Sequence, residues 1–179
     1  MEISKVGVIG AGQMGNGIAH VFALAGFDVV LHDINQDAMD AALATVAKNL
    51  DRQVSRDKIS VGERNQALER IELRPDLAGL GTTDLVSEAA TESEEIKTKI
   101  FKALTPHLGP ETVLTSYTSS ISITRLAAQT DRPEHFMGFH FMNPVPVMQL
   151  VELIRGIATS PETFAAMEAV VAKLGKTSA

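Results

Sequence analysis

Residues 5–33, KVGVIGAGQMGNGIAHVFALAGFDVVLHD, leave the chain few choices of fold. The apolar run from Lys5 to Ile9 reads as a strand, and a glycine-rich turn follows it at once. Ile18, Val21, Phe22 and Ala25 then recur at helical spacing up to Gly26, a residue suited to ending a helix. DVVLHD is a second strand. Strand, helix and strand in so short a span make a crossover unit, and such units pair their strands in parallel with a right-handed turn.

The alternation continues to the end of the chain. INQDAMDAALATVAKNLDRQVSR is a long helical pattern with Asn35 as its N-cap, and KISVGERNQALERI reads as a turn and a shorter helix. TDLVSEAA, ETVLTS, HFMGFHF and MQLVELIRG read as strands. ESEEIKTKIFKALTPHL, SSISITRLAAQ and SPETFAAMEAVVAKLG read as helices, the last opened by Ser160-Pro161. The expected class is therefore α/β, a Rossmann-type doubly wound and mainly parallel sheet.

Composition excludes several kinds of function. A chain of 179 residues can bury one core without staples, and the absence of cysteine removes disulfide and thiolate chemistry. A net charge of −6 argues against a general nucleic-acid binder, and one Tyr with no Trp leaves no stacking platform for single strands. No apolar run approaches the roughly 20 residues of a membrane span, and MEISKVGVIGAG has no secretory-signal pattern. The expectations are no nucleic-acid partner, no membrane, no metal and a cytoplasmic location.

Gly10-Ala11-Gly12-Gln13-Met14-Gly15 spells G-x-G-x-x-G. The pattern alone is common; after a strand and before a helix it marks a dinucleotide site. Gly10 permits the tight turn, Gly12 lets backbone approach a pyrophosphate, and Gly15 lets helix pack on strand. The helix N-terminus then offers N–H groups and partial positive charge to the phosphates. Asp33 ends the second strand, where an acid accepts hydrogen bonds from ribose hydroxyls. It would repel a 2′-phosphate, so NAD is expected over NADP. The plainer reading of Asp33 is a cap on the next helix.

FHFMNPVPVMQLVELIRG places His140 between two phenylalanines and Glu152 in an apolar run. Alone, His140 reads as a core histidine bonded to a carbonyl. An unpaired buried carboxylate costs several kcal/mol, however, so Glu152 needs a partner. A strand, the turn NPVPVM and a returning strand can bring the two together. A carboxylate on one ring nitrogen fixes the tautomer and leaves the other nitrogen to move a substrate proton. Ser119 and Ser120, in TSYTSSISIT, either bond a substrate oxygen or cap the following helix.

VGVIGAGQMGNGIAHVFALAGFDVVLHD, DLVSEAATESEEIKTKIF, TSSISIT and FHFMNPVPVMQLVELIRG together resemble the short-chain L-3-hydroxyacyl-CoA dehydrogenases, with 3-hydroxybutyryl-CoA dehydrogenases nearest. The resemblance spans essentially the whole chain. It implies an NAD-dependent enzyme that interconverts L-3-hydroxyacyl-CoA and 3-oxoacyl-CoA in fatty-acid or butanoate metabolism. In it His140 is the catalytic acid/base, Glu152 its orienting partner, and Ser119 a contact to the substrate oxygen near the nicotinamide. Glu92, Lys97 and Asn143 fall at positions that contact NAD. The plainer readings are a solvated helix start for the two charges and a turn for Asn143. Arg52, Arg56 and Lys58, near the end of the long helix, fall where the CoA nucleotide is met; their plainer reading is solvated surface or a pairing with the helix dipole.

Two departures accompany the resemblance. Tyr117 stands where the family motif has Asn, a bulky ring in place of a small amide. The chain also stops where family members continue into a helical domain, so the expectation is a single NAD-binding domain over residues 1–179 with that second domain absent. The face left uncovered is expected to favour a homo-oligomer. Two other readings stay open: an NAD-binding module without turnover, and a dehydrogenase of small free hydroxy acids, which Asp33 and the HFMNPVP block disfavour.

Overall fold

The computed structural model describes residues 1–179. Eight strands form one sheet: β1 (Lys5–Ile9), β2 (Asp28–His32), β3 (Ile71–Arg74), β4 (Leu85–Glu88), β5 (Val113–Ser116), β6 (Phe136–Phe141), β7 (Leu150–Arg155) and β8 (Thr177–Ser178). Their order across the sheet is β3-β2-β1-β4-β5-β6-β7-β8. β1 to β6 are parallel, β7 is antiparallel to β6, and β8 is parallel to β7. The order reverses at β1, whose neighbours β2 and β4 lead to opposite halves of the sheet. The crevice above that point is where open α/β sheets bind ligands. The expected doubly wound class is thus the observed one.

The helices are α1 (Gln13–Leu24), α2 (Gln36–Ser55), α3 (Val61–Glu69), α4 (Glu94–Leu104), α5 (Ile123–Ala127) and α6 (Pro161–Lys173). Their ends follow local chemistry. Gly26 adopts φ +101 just past α1, and the Asn35 side chain accepts from Ala38 N at the head of α2. Ser60 and Glu63 form a reciprocal capping box on α3.

Two strands escape sequence reading. β3 is a short edge strand in which only Ile71 is buried, so it shows no apolar run. β8 is two exposed residues held by main-chain bonds such as Thr177 N to Gln149 O.

The alternation of β6 and β7 sets the rest of the argument. Phe139, Phe141, Val151 and Leu153 point into the larger core cluster, with α1 and α6. Phe22 of α1 meets Phe139 and Phe141 edge-on at 6.2 and 6.4 Å between ring centroids. Truncating such a ring costs about 3–5 kcal/mol, so this packing ties β6 to the first helix. His140 and Glu152, one residue out of phase, face the opposite side.

Candidate active site

The glycine turn joins β1 to α1. Gly10 has φ +102, and a Cβ there would lie 2.7 Å from Ala89 O. A Cβ on Gly15 would lie 1.6 Å from Gly10 O, so the helix could not seat on the strand. A Cβ on Gly12 would meet nothing within 4 Å, so the protein itself does not need glycine there. Gly12 is the N-cap of α1 and offers no side chain to it, and the first turn carries no acid. The N–H groups of that turn are thus free for an anion. Asp33 accepts from Ala11 N at 2.9 Å and from Asn35 N at 3.0 Å, closing the turn and starting the next helix. Gln13 is exposed, while the Met14 side chain packs partly against the core.

Beside Asp33 opens a cleft of about 610 Å³ walled by Ile34, Pro75, Leu77, Ile96 and Ile100. Sequence reading missed this apolar wall. The sequence offers one signal for it, an isoleucine, Ile34, directly after the strand-end acid; in the structure Ile34 is 91% exposed.

His140 and Glu152 are direct cross-strand partners in the β6–β7 pair. His140 Nδ1 lies 2.8 Å from Glu152 Oε1. An ionised carboxylate only accepts, so Nδ1–H donates and Nε2 carries the lone pair. The burial argument for Glu152 needs correction. Its side chain is 45% exposed, because β7 has an uncovered face at that register. Proximity across the ladder, rather than a need for rescue from burial, brings the pair together.

The loop after β6 meets the glycine turn. Gln13 Nε2 donates to Asn143 Oδ1 at 3.5 Å, and a Cβ on Gly17 would strike Val145 at 2.8 Å. On the other side, Glu92 Oε2 accepts from Thr118 Oγ1 at 3.1 Å and from Ser120 Oγ at 3.5 Å. Ser119 lies exposed between them. Neither Ser119 nor Ser120 caps α5; Ser122 does, accepting from Arg125 N.

Lys97 departs from the plainer reading of it. Its side chain has no exposed surface, so it is not a solvated helix start. Nζ is 2.6 Å from Glu88 Oε1 and donates to Tyr117 O at 3.1 Å. Glu88, also fully buried, accepts from Ser116 Oγ at 2.7 Å and from Ala90 N at 2.8 Å. This saturated network joins the ends of β4 and β5 to α4.

A second, polar cavity of about 420 Å³ gathers Arg52, Arg56, Lys58, Asn49, Gln53 and His20 against the Pro144–Gln149 loop. The three basic residues named from the sequence therefore share one cavity. Asn49, Gln53 and His20 were not foreseen; they line it because successive turns of α2 and α1 face each other.

The chain matches the family described as 3-hydroxyacyl-CoA dehydrogenase, NAD binding domain, over residues 5–179. It is 60% identical over 174 residues to a 3-hydroxybutyryl-CoA dehydrogenase of Bradyrhizobium diazoefficiens, covering 97% of this chain and 59% of the relative. It is 46% identical over 177 residues to a probable 3-hydroxybutyryl-CoA dehydrogenase of Bacillus subtilis, covering 99% and 62%. A crystal structure of (S)-3-hydroxybutyryl-CoA dehydrogenase from Ralstonia eutropha superimposes with a TM-score of 0.97 at 48% identity, covering 99% of this chain and 62% of that one. The chain thus spans about three-fifths of the length of the relatives it matches.

Proposed function

Because the chain belongs to the family of 3-hydroxyacyl-CoA dehydrogenase NAD-binding domains, we propose that it supplies the cofactor site and the proton-transfer pair of an L-3-hydroxyacyl-CoA dehydrogenase acting on short acyl chains, 3-hydroxybutyryl-CoA above all. The observation that carries this reading is the His140 Nδ1–Glu152 Oε1 bond, on a strand whose following loop meets the glycine turn.

The family's cofactor is NAD, and this chain's residues fit it. Gly12 leaves open space for a pyrophosphate, the first turn of α1 offers N–H groups, and Asp33 retains acceptor capacity for ribose hydroxyls. The apolar cleft beside Asp33 suits a flat adenine ring. Glu92, Asn143 and Ser119 are assigned to the nicotinamide end. When bound, NAD would accept a hydride from the carbon bearing the hydroxyl, and NADH would return one to the carbonyl carbon in the reverse direction.

In this reading His140 Nε2 takes the proton of the substrate hydroxyl as a ketone forms. Glu152 holds the ring by Nδ1 and stabilises the imidazolium that results. In reverse, the imidazolium returns the proton to the carbonyl oxygen. Ser119 orients that oxygen. Arg52 and Arg56, in the polar cavity, pair with phosphates of CoA. Residues 1–179 act as one NAD-binding unit. Val147, Met148 and Leu150, exposed near the site, favour a homo-oligomer.

The test is NADH consumption with acetoacetyl-CoA by this chain and by His140→Ala. Turnover in the parent and none in the variant, with NADH binding retained in both, is the expected result. Absence of turnover in folded parent would overturn it in favour of a cofactor-binding module.

A further inference from the structure

The Tyr117 ring lies parallel to the His140 imidazole, with centroids 4.8 Å apart and planes inclined by 16°. The main chain beneath that ring is clamped at both polar atoms. Tyr117 N donates to Glu88 O at 2.8 Å, and Tyr117 O accepts from Lys97 Nζ at 3.1 Å. Both clamping residues are fully buried and are bonded to each other. The next residue, Thr118, is 2% exposed and bonds Glu92, Ser120 N and Ile121 N through its hydroxyl. Tyr117 therefore projects from backbone with little freedom to shift. Burial and then the charge of Glu92 push its phenol hydroxyl up, so the ring presents an uncharged face.

His140 is held far less firmly by polar contacts. Its one side-chain bond runs to Glu152, which is itself 45% exposed. A single bond to a half-exposed carboxylate fixes one ring nitrogen, and the tilt of the 13%-exposed imidazole about the Nδ1–Oε1 line is left to packing. The stacked Tyr117 ring supplies that packing, and an Asn at the same position offers only a small amide in place of an aromatic face.

We propose that Tyr117 is a positioning residue for His140: clamped by Glu88 and Lys97, its ring holds the imidazole in the plane that keeps Nδ1 on Glu152 and directs Nε2 to the substrate. The catalytic consequence rests on the function proposed above; the positioning itself does not.

The two are separated by one set of proteins: the parent chain, Tyr117→Phe and Tyr117→Asn. Each is checked for fold by circular dichroism and examined by imidazole ¹⁵N–¹H correlation, with His140 assigned by its loss in His140→Ala. In the parent and in Tyr117→Phe, the His140 Nδ1–H signal is expected to be observable and slow to exchange. In Tyr117→Asn it is expected to be lost to exchange. Where the parent turns over acetoacetyl-CoA, Tyr117→Asn is expected to lower kcat roughly three- to tenfold, with KM little changed and Phe restoring it. Equal Nδ1–H signals in parent and Asn variant, or loss in the Phe variant, would overturn the proposal. A parent without turnover whose signals follow the expected pattern would sink the dehydrogenase reading and leave the positioning intact.

Discussion

Lys97 Nζ sits 2.6 Å from Glu88 Oε1, and neither side chain is exposed to solvent. Removing one member of such a pair strands the other charge in the interior. Lys97→Met is therefore expected to lose about 3–5 kcal/mol of stability. Glu88→Gln/Lys97→Met removes both charges and is expected to recover most of it. Urea unfolding followed by circular dichroism reads both, and a double variant as unstable as the single one would refute the pairing.

Gly12 and Gly15 are expected to separate binding from folding. Gly15→Ala forces a Cβ to within 1.6 Å of a backbone oxygen, so the fold itself should fail or be severely weakened. Gly12→Ala meets nothing in the protein and should change stability by less than about 1 kcal/mol, while NADH binding falls sharply. Thermal unfolding and NADH titration on both variants check this. Retained NADH affinity in Gly12→Ala would remove the pyrophosphate from that turn.

Asp33→Ala should weaken NAD by roughly tenfold or more, the scale of a lost charge-assisted hydrogen bond. NADP should suffer less, because the variant also removes a charge that repels the 2′-phosphate. Since Asp33 also closes the turn through Ala11 N, some loss for both cofactors is expected. The discriminating number is the ratio of the two dissociation constants; no change in it rules out the ribose assignment.

His20 is 1% exposed; its Nε2 is paired with Gln53 Oε1 and its Nδ1 has no partner. Burial holds its imidazole below the ordinary 6.5; the Gln53 bond opposes this, and the charge of Lys176 adds to it. The unfolded chain therefore binds a proton that the folded chain refuses. The His20 contribution is fully present above about pH 6.5 and declines as pH falls through the window below it, levelling at the folded value. His20→Gln should flatten the change in urea midpoint between about pH 7 and 5 relative to the parent. Identical pH slopes would refute it.

Sequence pattern was sufficient wherever one element carries its own signal. The βαβ start, the glycine turn with Asp33, and the caps at Asn35 and Ser160 all follow from residues within a few positions of one another. So does the meeting of His140 with Glu152, because a strand, a short turn and a returning strand leave only the register to be found.

Tertiary structure decided what depends on residues distant in the chain. Lys97 looks like any lysine in the first turns of an amphipathic helix, yet the sheet order carries Glu88 and Tyr117 to it and buries all the charge involved. β3 and β8 pair by backbone alone and so leave no side-chain pattern to read. Glu152 sits in a run that looks buried, but the open face of β7 leaves it half in water. The Tyr117 ring, which in the sequence is only an odd residue in a serine-rich stretch, lies on His140 because β5 and β6 are neighbours. Local pattern reports propensity and period. Burial, charge pairing and ring stacking are set by which strands the sheet makes adjacent, and a linear sequence does not carry that adjacency residue by residue.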